Sequence, residues 1–180
     1  MAALVLINTV DFPSDILADL GFGGGFGLDL LLRHVGTSGH VDGVDMSATM
    51  LSHATRRFRR DFAAGRLRLH AASMTEMPLA TDSLDGAITL NTIYFIPELD
   101  LAFAEFARVT KSSGRVVIGL GDPDAMARSP LTAHSFRLRP VPEVIDLLQN
   151  AGLNVEEQRR VGEGDRLFHL LVAKPSQSAV

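Results

Sequence analysis

The sequence predicts an α/β fold, a three-layer sandwich whose mostly parallel seven-stranded sheet ends in an antiparallel hairpin. The first observation is that short β-like runs alternate with helical patterns, which is typical of a parallel sheet covered by helices. The second is that the last two β-like runs are joined by G-E-G-D, a turn so short that the two strands must be antiparallel. The third is a glycine cluster after the first strand, where open α/β sheets bind their ligands.

Length and composition indicate a single globular domain. The 180 residues fit one domain, which we place at residues 1–175 with a short tail at residues 176–180. With 46% hydrophobic and 21% charged residues, the chain can bury a core without covalent staples. It contains no cysteine, which excludes disulfides, thiolate nucleophiles and cysteine-based zinc sites. No metal site is predicted.

Charge and the N-terminal residues argue against nucleic acid and membrane as partners. The formal net charge is -4, whereas a nucleic-acid-binding domain usually carries a basic surplus. The densest basic run, at residues 56–60, has a helical pattern with aromatic neighbours and predicts a solvated helix face. The N-terminus lacks a basic region, and its apolar stretch is shorter than the ~20 residues of a membrane span. We therefore expect a cytoplasmic protein.

The first strand and the first helix enclose the glycine cluster. Residues 16–20 are a short apolar run and predict the first strand. Residues 28–35 predict a helix because their apolar positions recur at i, i+3, i+4 and i+7. Gly36 follows as the stop of this helix.

Four more parallel strands and two helices are predicted before residue 121. Ser47 is the expected N-cap of a helix that reaches about residue 64. A second helix covers residues 99–110, its apolar stripe includes Leu101, and residues 112–114 break the pattern. The four strands are predicted at residues 40–44, 67–71, 84–90 and 115–121.

The pattern changes after residue 121. Residues 122–140 carry three of the eight prolines and no clear period, which predicts a long loop or lid. Loops of that length inside compact domains are usually functional. Residues 142–151 return as a helix, with proline near its start and Gly152 just past its end. Residues 154–161 and 167–173 form the closing hairpin.

The segment D-L-G-F-G-G-G-F-G, at residues 19–27, lies between a strand and a helix. Glycines there allow positive φ angles and the close approach of a ligand, and the helix N-terminus presents unpaired N–H groups. The dinucleotide fingerprint fails in both registers, and no Gly-Lys-Ser/Thr follows as a P-loop requires. The pattern that fits is acid-x-Gly-x-Gly-x-Gly, starting at Asp19.

Asp45 ends the second predicted strand in G-V-D-M-S. It follows Gly21 by 24 positions, near the spacing of an acid that hydrogen-bonds a ribose. Its carboxylate can accept from both ribose hydroxyls. A lone aspartate before serine is more often a turn or cap residue, but the preceding glycine cluster favours a binding role.

Four segments in order resemble the class I, Rossmann-like S-adenosylmethionine-dependent methyltransferases, in particular the small-molecule branch called type 11. D-L-G-F-G-G-G is similar to that family's first motif, and G-V-D-M-S is similar to its second. A-S-M-T-E-M-P-L-A-T-D-S-L-D-G-A is similar to the third and fourth motifs, and F-A-R-V-T-K-S-S-G-R-V-V-I-G to the fifth-strand entry. The similarity covers about residues 16–174.

The resemblance implies S-adenosylmethionine as cofactor and S-adenosylhomocysteine as product. By position, Asp19 and the glycine-rich turn surround the methionine moiety, and Asp45 holds the ribose. Met46 and Met74 flank the adenine. The turn residues assigned in this way are Gly21, Phe22, Gly23 and Gly25.

Two further positions complete the implied cofactor site. Asn91, at the end of the fourth strand, lines the boundary between cofactor and substrate. Ser73 stands where the family commonly has an aspartate that accepts from the adenine amino group. A hydroxyl still accepts a hydrogen bond but carries no charge, so weaker cofactor binding is expected.

Tyr94 and His134 are the candidate catalytic residues. Tyr94, just past the fourth strand, is placed to orient an acceptor; its alternative is a half-buried aromatic with a wet hydroxyl. His134, in the long loop, is a candidate base, although a loop histidine is more often merely solvated. An Asn/Asp-Pro-Pro-aromatic signature is absent, which favours a small-molecule acceptor. Nearby apolar residues favour a lipophilic or aromatic one: Phe95, Ile96, Leu131 and Phe136.

Two other function classes stay open at this point. One is a nicotinamide-dependent oxidoreductase, which the failed fingerprint and the terminal hairpin oppose. The other is a non-catalytic module that binds S-adenosylmethionine or acts as a scaffold, with which Ser73 is compatible. The few residues before the first strand imply an open site, a cap from a partner subunit in a homo-oligomer, or a shortened chain.

Overall fold

The computed structural model describes residues 16–36, 38–129 and 136–176. Its strands are β1 Ile16–Leu20, β2 His40–Asp45, β3 Leu67–Ala71, β4 Leu84–Leu90, β5 Thr110–Gly121, β6 Leu153–Val161 and β7 Phe168–Pro175. Its helices are α1 Phe26–His34, α2 Ala48–Arg57, α3 Arg59–Ala63, α4 Leu99–Val109, α5 Pro123–Ala127 and α6 Val141–Asn150, with 3₁₀ turns at Ile93–Phe95 and Gly164–Arg166.

One seven-stranded sheet has the order β3-β2-β1-β4-β5-β7-β6. Strands β1 to β5 pair in parallel, whereas β7 lies between β5 and β6 and is antiparallel to both. The predicted fold, a mostly parallel sheet that ends in an antiparallel hairpin, is confirmed. The order reverses between β1 and β4, which is the switch point where sheets of this kind open a crevice at their carboxyl ends.

Two apolar layers hold the helices to the sheet. On one face α1 and α2 contribute Leu28, Leu31 and Ala54, and Phe58 packs with them. On the other face α4 and α6 contribute a second buried cluster that includes Phe103, Phe106, Val144 and Leu148. Because β1 is covered on both faces, its residues from Leu17 to Leu20 are all buried, as expected of a central parallel strand.

Two predicted helices differ from the structure in their bounds. Ser47 caps α2 as expected, its Oγ accepting a hydrogen bond from the Met50 backbone N–H at 3.4 Å. The single helix predicted to residue 64 is wrong, because the backbone leaves helical geometry at Phe58 and resumes as α3. The ring of Phe58 is buried beneath the glycine-rich turn, so packing decides the break. Leu101, expected in the apolar stripe of α4, is 52% exposed.

Strand β5 is longer than predicted. The residues that look like a turn, 112–114, continue the strand from Thr110, with a register shift against β4 between Leu84 and Gly86. Gly114 is buried there, and a Cβ on it would lie 2.8 Å from the carbonyl oxygen of Asp85. The serines and the glycine therefore serve a bulged strand pair.

A short helix lies within the stretch predicted as a long loop or lid, which corrects that prediction for residues 123–127. Helix α5 begins directly after β5, with the Asp122 carboxylate accepting from the Ala125 N–H at 2.9 Å. Further along, the Arg137 N–H donates to the Tyr94 carbonyl at 2.9 Å. His134 and Leu131 lie outside the described residues. Among the helices of the described segments, none is long and apolar enough to cross a membrane.

Candidate functional site

A cleft of about 970 Å³ lies at the carboxyl ends of β1, β2 and β4. Its floor is the glycine-rich turn between β1 and α1, and its walls come from the residues that follow β2, β3 and β4. Nine of the ten predicted cofactor residues line it: Asp19, Gly21, Phe22, Gly23, Asp45, Met46, Ser73, Met74 and Asn91. The tenth, Gly25, does not line the cleft; it packs against the ring of Phe58 on the side of the turn that faces the protein.

The turn takes a conformation that requires glycine. Gly21, Gly23 and Gly25 all have positive φ, at 77°, 46° and 76°. At Gly21 the space is also closed, because a Cβ would lie 2.2 Å from Cγ2 of Thr92. A side chain at Gly21 would therefore strain the backbone and overlap a neighbour at once.

Two residues that sequence reasoning missed hold this turn in place. The Thr92 hydroxyl lies 3.1 Å from the carbonyl oxygens of both Gly21 and Leu90, which ties the turn to the end of β4. The Arg57 guanidinium donates to the Gly24 carbonyl at 2.9 Å. Arg57 belongs to the basic run that we interpreted as a solvated helix face, so for this member the interpretation is incomplete. No motif marks either residue.

Asp45 connects the end of β2 to the glycine-rich turn. One carboxylate oxygen accepts from the Gly23 N–H at 2.9 Å, and the other accepts from the Ser47 N–H at 2.8 Å. A carboxylate offers about four acceptor positions, so two remain for a ligand. Backbone N–H groups therefore orient the Asp45 carboxylate.

Asp19 is a buried acid with an unused oxygen. The residue is 2% exposed, and its Oδ2 has no hydrogen-bond partner among the described residues. Burial raises the pKa of Asp19 to about 7; the charge of Asp45 adds to this, and the Leu28 backbone N–H opposes it. Gly27 makes the space, since a Cβ there would lie 2.3 Å from Oδ2. A cationic group in the cleft would stabilise the ionised form.

The opposite wall holds the predicted adenine contacts. Met46 is 74% exposed at the end of β2, and Met74 is half-buried after β3. The Ser73 Oγ accepts from the Thr75 N–H at 3.2 Å and lies 2.7 Å from the Thr75 hydroxyl. The Ser73 hydroxyl thus stabilises the turn after β3 by bonding the backbone and the side chain of Thr75.

Tyr94 is buried beside the cleft. It is 2% exposed, and its hydroxyl oxygen accepts from the Gly121 N–H at 2.6 Å and donates to Asn91 Oδ1 over a longer 3.4 Å. Burial raises the pKa of Tyr94 to about 12, so the hydroxyl stays protonated at neutral pH. The hydroxyl therefore links the ends of β4 and β5. His134 lies outside the described residues.

A second chamber of about 780 Å³ adjoins the cleft, and Asn91, Phe95 and Phe168 line both spaces. The ring of Phe136 packs 4.7 Å from the ring of Phe95 and 5.5 Å from that of Tyr94, measured between centroids. Apolar rings therefore form the junction. A ligand in the chamber would meet a ligand in the cleft at that point.

Arg139 fixes the wall between the two spaces. Its guanidinium donates to the carbonyl oxygens of Ile93, Ile96 and Pro97 at 3.2–3.3 Å. These carbonyls belong to the 3₁₀ turn after β4 and to the residues that follow it. These hydrogen bonds attach the residues around Arg139, just before α6, to the wall of the cleft.

The sequence profile of a family described as "Methyltransferase domain" matches residues 18–118. Among curated proteins, the arsenite methyltransferase of Halobacterium salinarum is 32% identical over 106 residues, which are 59% of this chain and 27% of that protein. The chain spans between 27% and 46% of the length of the first four curated relatives it matches.

Solved structures show the same fold. A SAM-dependent methyltransferase from Aquifex aeolicus has a TM-score of 0.78 at 20% identity, covering 94% of this chain and 87% of that one. Geranyl diphosphate C-methyltransferase from Streptomyces coelicolor, in complex with Mg2+, geranyl diphosphate and S-adenosyl-L-homocysteine, has a TM-score of 0.77 at 18% identity. That match covers 97% of this chain and 78% of the other.

Proposed function

The chain belongs to the methyltransferase-domain family, and on this basis we propose that it moves a methyl group from S-adenosylmethionine to a small-molecule acceptor. Membership confirms the predicted family and favours S-adenosylmethionine over a nicotinamide cofactor. The observation that carries the proposal is the cleft in which Asp19 and Asp45 end adjacent strands on either side of a glycine-rich turn.

The described residues fit this cofactor. The unpartnered, buried Oδ2 of Asp19 suits the ammonium end of the methionine moiety, above a turn that excludes side chains. The two free acceptor positions of Asp45 suit the ribose hydroxyls. Met46 and Met74 offer apolar contacts to the adenine, and Ser73 offers a neutral acceptor nearby.

When bound, S-adenosylmethionine supplies an electrophilic methyl group whose thioether leaves without a proton. The contribution of this chain is to align the acceptor with that methyl group and to exclude competing geometries. Tyr94 acts through Asn91 and Gly121 as a positioning residue rather than by taking a proton. A general base is needed only for an acceptor that arrives protonated, and His134 stays a prediction for that role.

The acceptor is proposed to be lipophilic or aromatic and to occupy the second chamber. Support comes from the rings of Phe95, Phe136 and Phe168, which surround the junction with the cleft. Relatives named for arsenite and for geranyl diphosphate indicate that the fold serves chemically different small acceptors. A cytoplasmic location and a homo-oligomer stay predictions.

The test combines binding with turnover. Calorimetry with S-adenosylmethionine and S-adenosylhomocysteine is expected to give one site per chain, and labelled methyl from the donor is expected in an apolar acceptor from a panel of phenols, quinols and prenyl compounds. A dissociation constant of about 1 mM corresponds to a binding free energy of only ~4 kcal/mol. If neither ligand binds even that weakly, the proposal is overturned. Binding without transfer to any acceptor would favour a non-catalytic module.

A further inference from the structure

The rim of the second chamber carries an uneven set of charges. Two arginines, Arg128 and Arg166, and one acid, Asp165, contribute to its lining. Arg128 Nη2 lies 2.7 Å from Asp165 Oδ1. The negative charges of Asp122 and Asp124 also attract Arg128. Among the described residues Arg166 has no ion pair. Within the described part of the chain, Arg166 is therefore the lining cation that no acid pairs at contact distance.

The turn that bears Arg166 is attached to the wall of the chamber. The Asp122 N–H donates to the Leu167 carbonyl at 3.0 Å, and the Leu167 N–H donates to the Gly164 carbonyl at 3.1 Å. The Arg128–Asp165 pair joins the same turn to the end of α5. The backbone that carries Arg166 is thus attached to the end of β5 and to the end of α5, which fixes the position of its Cα at the rim of the chamber.

Charge and apolar surface are separated in the chamber. Phe95 and Phe168 line both the chamber and the cleft, and Phe136 packs on Phe95, whereas the charged residues Arg128, Asp165 and Arg166 line the chamber alone. A ligand that used both would present an apolar part towards Asn91 and a charged part towards Arg166. Arginine pairs preferentially with carboxylate and phosphate groups, because its planar fork matches their oxygens.

Resting on the proposed function, we propose that the acceptor is an amphipathic anion. Its apolar body packs between the three phenylalanine rings with the methyl-accepting atom towards Asn91, and its carboxylate or phosphate binds Arg166. Arg166 is then a specificity-determining residue that selects acidic acceptors over neutral ones of the same shape.

The test uses matched probes on protein saturated with S-adenosylhomocysteine. 2-Naphthoate, 2-naphthyl phosphate and the neutral 2-naphthamide are titrated by calorimetry into the wild type and into Arg166→Gln. Because Arg166 is exposed, we expect the variant to bind the two anions about three- to fivefold more weakly and the amide equally well. A larger loss for one anion than for the other identifies carboxylate or phosphate as the preferred group.

Salt and a distant variant provide the controls. Raising the salt from about 20 mM to about 500 mM is expected to weaken the anions but not the amide. Arg59→Gln, an exposed arginine at the start of α3, is expected to behave as wild type. Equal loss of all three probes, or unchanged anion binding in Arg166→Gln, would overturn the inference. S-adenosylhomocysteine affinity is measured separately, so a failure here is distinct from a failure of the proposed function.

Discussion

The cleft and the second chamber are neighbours built on different principles. The base of the cleft is a glycine-rich turn flanked by two acids, Asp19 and Asp45, that lie near the ends of adjacent strands and close together along the chain. Residues that follow β3 and β4 complete its walls. The chamber is formed by side chains from three separate segments, after β4, after β5 and before β7, and it is largely apolar. A ligand common to a whole family can be bound by a local motif. A ligand particular to one member depends on residues that only the tertiary fold brings together.

Gly21→Ala is the change expected to damage the cleft most. It combines a φ of 77° with a Cβ 2.2 Å from Thr92 Cγ2. We expect a loss of about 2–3 kcal/mol in the free energy of unfolding, measured by urea denaturation, with weaker S-adenosylhomocysteine binding. Gly24→Ala is the control, since nothing lies within 4 Å of its Cβ position. Equal stability of the two variants would contradict the steric role of Gly21.

Asp45→Ala tests whether the cleft binds a ribose through this acid. Loss of the charged hydrogen bonds is expected to cost about 1.5–3 kcal/mol of cofactor affinity, or roughly ten- to a hundredfold in Kd. Calorimetry with S-adenosylhomocysteine measures it, with a thermal melt to check folding. Asp29→Ala, which removes an exposed ion pair with Arg33 on α1, serves as the control. An affinity within twofold of the wild type would remove Asp45 from the site.

Asp19 is expected to make cofactor binding pH-dependent. With its pKa raised to about 7, the carboxyl of the free protein is mostly protonated below that pH. Pairing with the ligand ammonium group favours the ionised form, so binding releases a proton and affinity rises as the pH increases towards 7. The change is at most about tenfold per pH unit below the pKa, with a plateau above it.

Proton release distinguishes this effect from a general loss of folding in acid. Calorimetry at about pH 6 in two buffers of different ionisation enthalpy counts the protons released. Asp19→Asn is expected to bind more weakly and with no proton release. A wild-type titration that releases no proton at that pH would exclude the ion pair.

Tyr94→Phe is the mildest change and tests the boundary between the two spaces. It leaves the Gly121 N–H without its hydroxyl acceptor, which is expected to cost about 1 kcal/mol of stability. Cofactor affinity should be unchanged, and kcat/KM should fall by less than about tenfold if Tyr94 only positions Asn91. A fall of several hundredfold in kcat with an unchanged melt would instead make the hydroxyl a catalytic group.

The cleft was largely predictable from the sequence because the residues at its base lie close together along the chain. Strand, glycines, helix and acid follow one another over residues 16–45, and each has a physical requirement that few residue types meet. Thr92 was not predictable, because a threonine between Asn91 and Ile93 has no pattern that distinguishes it. Its role depends on the approach of β4 to the glycine-rich turn, a distance that only the sheet order sets.

The chamber and some helix boundaries were harder to predict from the sequence, because they too depend on contacts between distant segments. Phe58 interrupts a helix whose sequence pattern is continuous, because its ring is needed under the glycine-rich turn. Arg139 pairs with the nearby Glu143, but it also binds carbonyls more than 40 residues away. The predicted role of Tyr94 turned on whether its hydroxyl faced a ligand or the protein, which composition alone does not decide.

The place of β7 in the sheet has a consequence for how the chain is synthesised. Of the seven strands of this sheet, β7 is synthesised last, yet it lies between β5 and β6 rather than at an edge. Until residues 168–175 are available, β5 has an open side and β6 has no partner. Such long-range pairing is slow and leaves strand edges exposed to other chains. We therefore expect nascent chains that end before β7 to be the species that chaperones must protect.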